Sequence, residues 1–311
     1  MKKSRSEPLR YFNLQGDAEG VKESAFRAVA QFPEGRLDGQ FVSAMAWLSS
    51  VVDLAAMEVV AHRHGTFCFA ELNTPDMEGG KRFYSELLGW TGFDVPSAAG
   101  GYSLMRLRGK GVAGLHRTAQ GPQSWLQYIS VESAGRTAAR AQELGGMVRA
   151  APFEVPDVGR MAVLEDPAGG VVALWEAKGH TGAGLVEEPG TMWWNELLVH
   201  DAAAAWRFYC ELFRWSTSET RVPNGSYTIF KLGDQSVAGQ MTIGRDWGRV
   251  TPHWQVFFAV RDCDASIAQA KALGGSLVFG PQDVPNAGRF AVLSDSGNAT
   301  FAIMRPMKLD D

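Results

Sequence analysis

The residues best suited to chemistry are two glutamates, each set among aromatic and aliphatic neighbours: Phe69-Ala70-Glu71-Leu72 and Trp194-Asn195-Glu196-Leu197. On a strand, alternate side chains share a face, so Glu71 lies beside Phe69 and Glu196 beside Trp194. Desolvation by such neighbours raises a carboxylate's pKa, which suits a general base or acid. The same carboxylates also suit a scaffold role, accepting hydrogen bonds from the paired cations Arg82/Arg207, Arg106/Lys231 or Arg160/Arg289. The histidines are less organised. His62 and His64 form a polar connector, His180 falls in a linker-like run, and His200 precedes a helix. His116 follows a strand and His253 begins one, each without a His or carboxylate counterpart in the other copy described next. Cys210 falls within a helix with no nearby base, which argues against a nucleophile. No GxSxG, P-loop or GxGxxG motif is present.

An internal repeat positions these residues. Displaced by 125 residues, Glu71-Leu72 falls on Glu196-Leu197, Asp76 on Asp201, and Arg82-Phe83-Tyr84 on Arg207-Phe208-Tyr209. Trp90 likewise falls on Trp215, and Val112-Ala113-Gly114 on Val237-Ala238-Gly239. Beyond that the offset is 129, so four extra residues enter the second copy within 242–252. Trp125 then matches Trp254, Leu144-Gly145-Gly146 matches Leu273-Gly274-Gly275, and Asp166 matches Asp295.

Within the first copy, 66–72 reads as a strand, and Thr74-Pro75-Asp76 opens a helix with Thr74 as N-cap and Pro75 at its first position. Strands follow at 102–107 and 110–115 around the turn Arg108-Gly109. The second half repeats the plan: a strand over 125–131, a helix over 134–144, a short strand at 147–149, and a hairpin of 160–164 with 171–175. Each half is a βαβββ unit, and the chain holds four. The divisions expected are an extension over 1–64, repeats at 65–178 and 191–306, a Gly/Pro linker over 179–190 and a tail over 307–311.

This pattern resembles the vicinal oxygen chelate superfamily of glyoxalase I, bleomycin-resistance proteins and extradiol dioxygenases. The resemblance is carried by FAELNTPDMEGGKRFYSELLGW, its echo WNELLVHDAAAAWRFYCELFRW, and GRMAVLEDPAGGVVALWE. It implies an α+β fold in which paired βαβββ units make two curled, eight-stranded mixed sheets. It also implies a divalent metal (Fe, Mn, Zn or Ni) held in the cleft by His, Glu or Gln. The corresponding positions are Phe69, Leu126 and Ala173 in the first copy and Trp194, Gln255 and Ala302 in the second. A divalent ion needs several converging donors, and Gln255 alone is insufficient, so no cofactor is expected. By strand parity, Tyr128 and Trp175 turn into the first cleft, with Phe257 and Met304 in the second. Such rings suit a flat or amphipathic organic ligand.

Composition narrows the classes. The 311 residues carry 30 Lys+Arg against 34 Asp+Glu, a net charge of −4, which argues against a general nucleic-acid binder. Three separated cysteines (Cys68, Cys210, Cys263) make no disulfide framework and point to a reducing cytoplasm. The basic start lacks an apolar core, so it does not read as a signal peptide. The apolar stretch over 41–61 is broken by Asp53 and Glu58; Phe41, Met45, Leu48, Val52 and Met57 follow a helical stripe, so it reads as one amphipathic helix and not as a membrane span. Residues 1–56 are either an appended helical segment or an extension upstream of the true start. The leading expectation is a metal-independent protein, monomer or homodimer, that sequesters or carries an amphipathic metabolite or antibiotic. The alternatives are a lyase, isomerase or hydroxylase-like enzyme using Glu71 or Glu196 as base, and a metal-dependent lyase or dioxygenase with displaced ligands.

Overall fold

A computed structural model describes residues 57–95, 101–119, 121–222, 225–245 and 247–307. Most of the apolar stretch over 41–61 lies outside these residues. Its end differs from expectation: β1 (Met57–Glu58) is a strand, paired antiparallel with β10 (Leu185–Val186).

The first copy comprises β2 (Phe67–Thr74), α1 (Met77–Leu88), β3 (Thr91–Val95), β4 (Tyr102–Leu107), β5 (Lys110–Arg117), β6 (Ser124–Ser130), α2 (Ala134–Glu143), β7 (Met147–Val155), β8 (Gly159–Glu165) and β9 (Val171–Ala177). The second comprises β11 (Met192–Val199), α3 (Ala202–Phe213), β12 (Ser216–Val222), β13 (Gly225–Leu232), β14 (Gln235–Thr242), β15 (His253–Ala259), α4 (Cys263–Ala272), β16 (Ser276–Val284), β17 (Gly288–Ser294) and β18 (Thr300–Pro306). The strands form two eight-stranded mixed sheets in the orders β3-β4-β5-β2-β6-β9-β8-β7 and β12-β13-β14-β11-β15-β18-β17-β16. The extra residues of the second copy connect β14 to β15.

Local readings are corrected at several points. The N-cap of α1 is Asp76, whose carboxylate accepts the Gly79 N–H at 2.9 Å. Thr74 instead ends β2, and its hydroxyl donates to Gln123 Oε1 at 2.5 Å. Gly79 and Gly80 lie inside α1. A Cβ on Gly80 would press Leu115 at 3.2 Å, so glycine lets this helix lie close on the sheet. Strand β3, exposed along its whole length, was not anticipated, because an edge strand has no buried face to impose a period-two pattern.

Each sheet has two apolar faces, which is why β2 is buried along its whole length and β11 everywhere but at Trp193. The helix-bearing faces of the two sheets merge in one core containing Tyr84, Trp90, Trp125, Tyr209, Trp215 and Trp254. Reciprocal polar links cross it. Tyr84 donates to Asp295 Oδ2 at 2.8 Å and accepts from the Trp125 indole at 2.9 Å. Tyr209 donates to Asp166 Oδ2 at 2.9 Å and accepts from Trp254 at 2.8 Å. Trp90 and Trp215 reach the carbonyls of Gly190 and Gly65 at 2.6 and 2.8 Å. The helix tyrosine of each copy therefore holds the turn aspartate of the other. The opposite faces of the sheets carry separate buried clusters, one per copy, at the positions the resemblance gives to the two clefts.

Candidate functional site

The first cleft is built on β2, β6 and β9. Phe69 opposes Tyr128 across an antiparallel pair, and Tyr128 pairs in parallel with Ala173. Phe69, Leu126, Tyr128, Ala173 and Trp175 are all buried on this face. Glu71 opposes Leu126 on one side and Gly114 on the other. That glycine is needed: a Cβ on Gly114 would fall on the Tyr102 hydroxyl.

Glu71 is 3% exposed. None of the arginines or the lysine considered from sequence pairs with it. Arg106 lies over the Phe93 ring, Arg160 pairs with Glu154, and Arg289 pairs with Asp264 and Asp283. Its neighbours are instead the hydroxyls of Tyr102 and Tyr128, whose own ionisation is pushed far up, first by burial and then by the Glu71 charge. Glu71 Oε1 is buried without a hydrogen-bond partner among the described residues. Buried polar atoms are ordinarily satisfied, so this oxygen is a place where a ligand donor would be stabilising.

His180 completes the cleft, and sequence reading placed it only in a linker. Its ring meets Phe69 edge-on at 5.0 Å, and its carbonyl accepts the Trp175 indole N–H at 2.8 Å. Its Nε2 is likewise buried without a partner among the described residues. Burial, with a smaller contribution from His62, holds the imidazole toward its neutral form, and Glu71 acts weakly the other way. Chain spacing could not have revealed this, since the residue arrives through the inter-copy connection.

The second cleft repeats the frame with different contents. Trp194, Glu196, Gln255, Phe257, Ala302 and Met304 are buried there. Gly239 leaves room for the Tyr227 hydroxyl as Gly114 does for Tyr102. Here, however, the Tyr227 hydroxyl accepts the Trp194 indole N–H at 3.0 Å. Phe257 replaces Tyr128, while Gln255 stands opposite Glu196 where Leu126 stands opposite Glu71. Burial pushes its carboxyl up to about 7, partly offset by Tyr227.

Glu196 and Asp166 make a pH prediction. Asp166 is raised to about 6 by burial despite the hydrogen bond from Tyr209. Both folded values exceed the ordinary 4.5 and 3.8. The folded state therefore holds protons that the unfolded chain releases. The stability these groups contribute is full below about pH 4 and is lost as pH rises through about 6 to 7. The imidazoles of His62, His180 and His253, held toward their neutral forms by burial, act in the opposite sense over the same range. The carboxyl contribution is therefore read by difference: the parent's denaturant midpoint, relative to that of Glu196→Gln, is expected to rise on acidification from pH 8 to pH 5.

The family-type metal position does not fit an ion. Its six places hold Phe69, Leu126, Ala173, Trp194, Gln255 and Ala302, which offer one amide between two clefts. Among the described residues, no three His, Cys, Asp or Glu side chains converge in a way that could hold a metal.

Two curled sheets of paired βαβββ units, with clefts on their free faces, define the class: glyoxalase- and dioxygenase-type folds. The chain belongs to the glyoxalase-like proteins of the vicinal oxygen chelate superfamily. A glyoxalase-like domain family matches residues 195–304. CFP32 of Mycobacterium tuberculosis, which carries a glyoxylase name, is 39% identical over 254 residues, 79% of this chain and 96% of that protein. The anthracycline biosynthesis protein DnrV of Streptomyces peucetius is 34% identical over 257 residues, 77% of this chain and 93% of that protein. Among solved structures, the Mn(II)-bound glyoxalase of Novosphingobium aromaticivorans superposes with TM-score 0.57 at 12% identity, covering 79% of this chain and 83% of that one. The homoprotocatechuate 2,3-dioxygenase of Arthrobacter globiformis gives 0.54 at 16% identity, covering 85% and 81%. No helix of the described residues is long and apolar enough to cross a membrane.

Proposed function

We propose that this protein binds a small amphipathic or aromatic molecule in its first cleft without a metal, and so sequesters or carries it. The observation that carries the reading is the buried Glu71 carboxylate, with one oxygen unpartnered among Phe69, Tyr102, Tyr128 and Trp175. The rings supply an apolar slot. Glu71 Oε1 takes a ligand O–H or N–H, and His180 Nε2 makes a second polar contact. The name of the DnrV relative supports a polycyclic aromatic ligand. Three free cysteines, two of them buried, support a reducing, cytoplasmic setting.

Titration calorimetry with a hydroxyanthraquinone and an anthracycline tests this reading. One molecule per chain, with affinity unchanged by a chelator, is the expected result. No saturable binding, or binding abolished by the chelator and restored by Mn²⁺ or Fe²⁺, overturns it.

A further inference from the structure

The two copies differ where their central parallel strands fork. In the first sheet, β2 and β5 pair only from Glu71 and Gly114 onward. Upstream, the strands part, and the linker backbone enters between them. Ala183 N–H donates to the Cys68 carbonyl at 2.7 Å, and Gly184 N–H to the Gly111 carbonyl at 2.8 Å. Gly184 in turn accepts from Val59 N–H at 3.0 Å. There is no room for a side chain at Gly182, where a Cβ would meet the Cys68 carbonyl at 2.5 Å.

In the second sheet, β11 and β14 pair only from Glu196 and Gly239 onward. The internal repeat carries Cys68 onto Trp193 and Gly111 onto Ser236. Among the described residues no segment takes the place of Ala183 and Gly184. A cavity of about 270 Å³ occupies the fork, lined by Trp193, Asn195, Ser236, Arg63 and Glu187 among others. Asn195 stands where the first copy has Ala70. It is 3% exposed, and its Oδ1 is buried without a partner among the described residues. Its Nδ2 makes a single contact, to Met192 Sδ at 3.4 Å. The unsatisfied acceptor is thus found in the copy whose fork no described segment fills. Arg63 and Glu187 make no ion pair among the described residues.

We propose that this fork is a docking site for a short free peptide rich in glycine and alanine, whose backbone N–H groups pair with the strand carbonyls and with Asn195 Oδ1. The occupant of the first fork sets the chemistry: the run Thr181-Gly182-Ala183-Gly184-Leu185, bent at Gly182 and Gly184 with Gly182 at φ +118°, and bonded through its backbone. Glycine is favoured where the occupant turns in beside the first strand, as at Gly182 of the first fork. Arg63 and Glu187 offer opposite charges to the two ends of a free peptide. This site is separate from both clefts and does not depend on what they bind.

The probe is the synthetic pentapeptide Thr-Gly-Ala-Gly-Leu, titrated into the full chain with free termini and with acetylated and amidated termini. Saturable binding of one peptide per chain is expected. Preference for the free-ended form is expected, because Arg63 and Glu187 face the charged ends; preference for the capped form overturns the assignment to a free peptide. A peptide with proline at both donating positions lacks the N–H groups and is expected to bind at least tenfold more weakly. Asn195→Ala copies Ala70, so its thermal midpoint is expected to hold while affinity falls at least fivefold. Three further results overturn the proposal: no saturable binding of either form, equal binding of the proline peptide, or a concentration-dependent dimer abolished by Asn195→Ala, which assigns the fork to a second copy of the chain.

Discussion

Tyr209→Ala is expected to lower the unfolding free energy by about 3–5 kcal/mol, the usual cost of deleting a large buried aromatic side chain. The ring is fully buried, stacks on Trp215 at 5.6 Å and meets Trp254 edge-on at 5.3 Å. Its loss opens a cavity in the core shared by the two copies. It also strips Asp166 of the hydroxyl that anchors it, although that aspartate belongs to the other copy. Tyr209→Phe separates the two contributions. It keeps the ring and removes only the hydroxyl, so it is expected to cost about 1–3 kcal/mol, the penalty of an unsatisfied buried partner. Urea denaturation of both variants measures the difference. If Tyr209→Phe unfolds at the same urea concentration as the parent, the reciprocal tyrosine–aspartate links are not what fastens the copies together.

The second large effect concerns the first cleft. Glu71→Gln preserves the shape of the side chain but replaces an acceptor oxygen with an amide NH2 that cannot accept. A ligand donor left buried and unpaired costs about 1–3 kcal/mol, so ligand affinity is expected to fall roughly 5- to 100-fold. Glu196→Gln, the same change in the other cleft, is expected to leave that affinity within about threefold. The contrast is set by geometry. Tyr102 and Tyr128 both turn toward Glu71, whereas Phe257 replaces the second tyrosine in the other cleft and Trp194 donates to Tyr227. Calorimetric titration of both variants against a hydroxyanthraquinone is the measurement. Equal losses in the two variants would place the ligand elsewhere or in both clefts.

The repeat at offsets 125 and 129 was legible from residue order alone, and with it the four βαβββ units. So was the facing of Phe69, Glu71, Tyr128 and Trp175, because strand alternation is a strict local rule that burial then enforces. The mismatch with a metal followed from side-chain chemistry: rings and aliphatic groups have no lone pairs to give, whatever the backbone does. Three features were decided only by tertiary structure. His180 reaches the first cleft because the linker folds back beside β2, a contact whose origin is chain routing, not spacing. Asp166 and Asp295 look like ordinary turn residues until the opposing helices bring Tyr209 and Tyr84 against them. The cations thought to pair with Glu71 found nearer carboxylates and a ring at the surface, because a buried glutamate can be approached more cheaply by a neutral hydroxyl than by a charge that must lose its water. Local periodicity therefore settled which face each residue occupies, while the partners it meets there depended on elements distant in the chain, whose approach leaves no periodic trace.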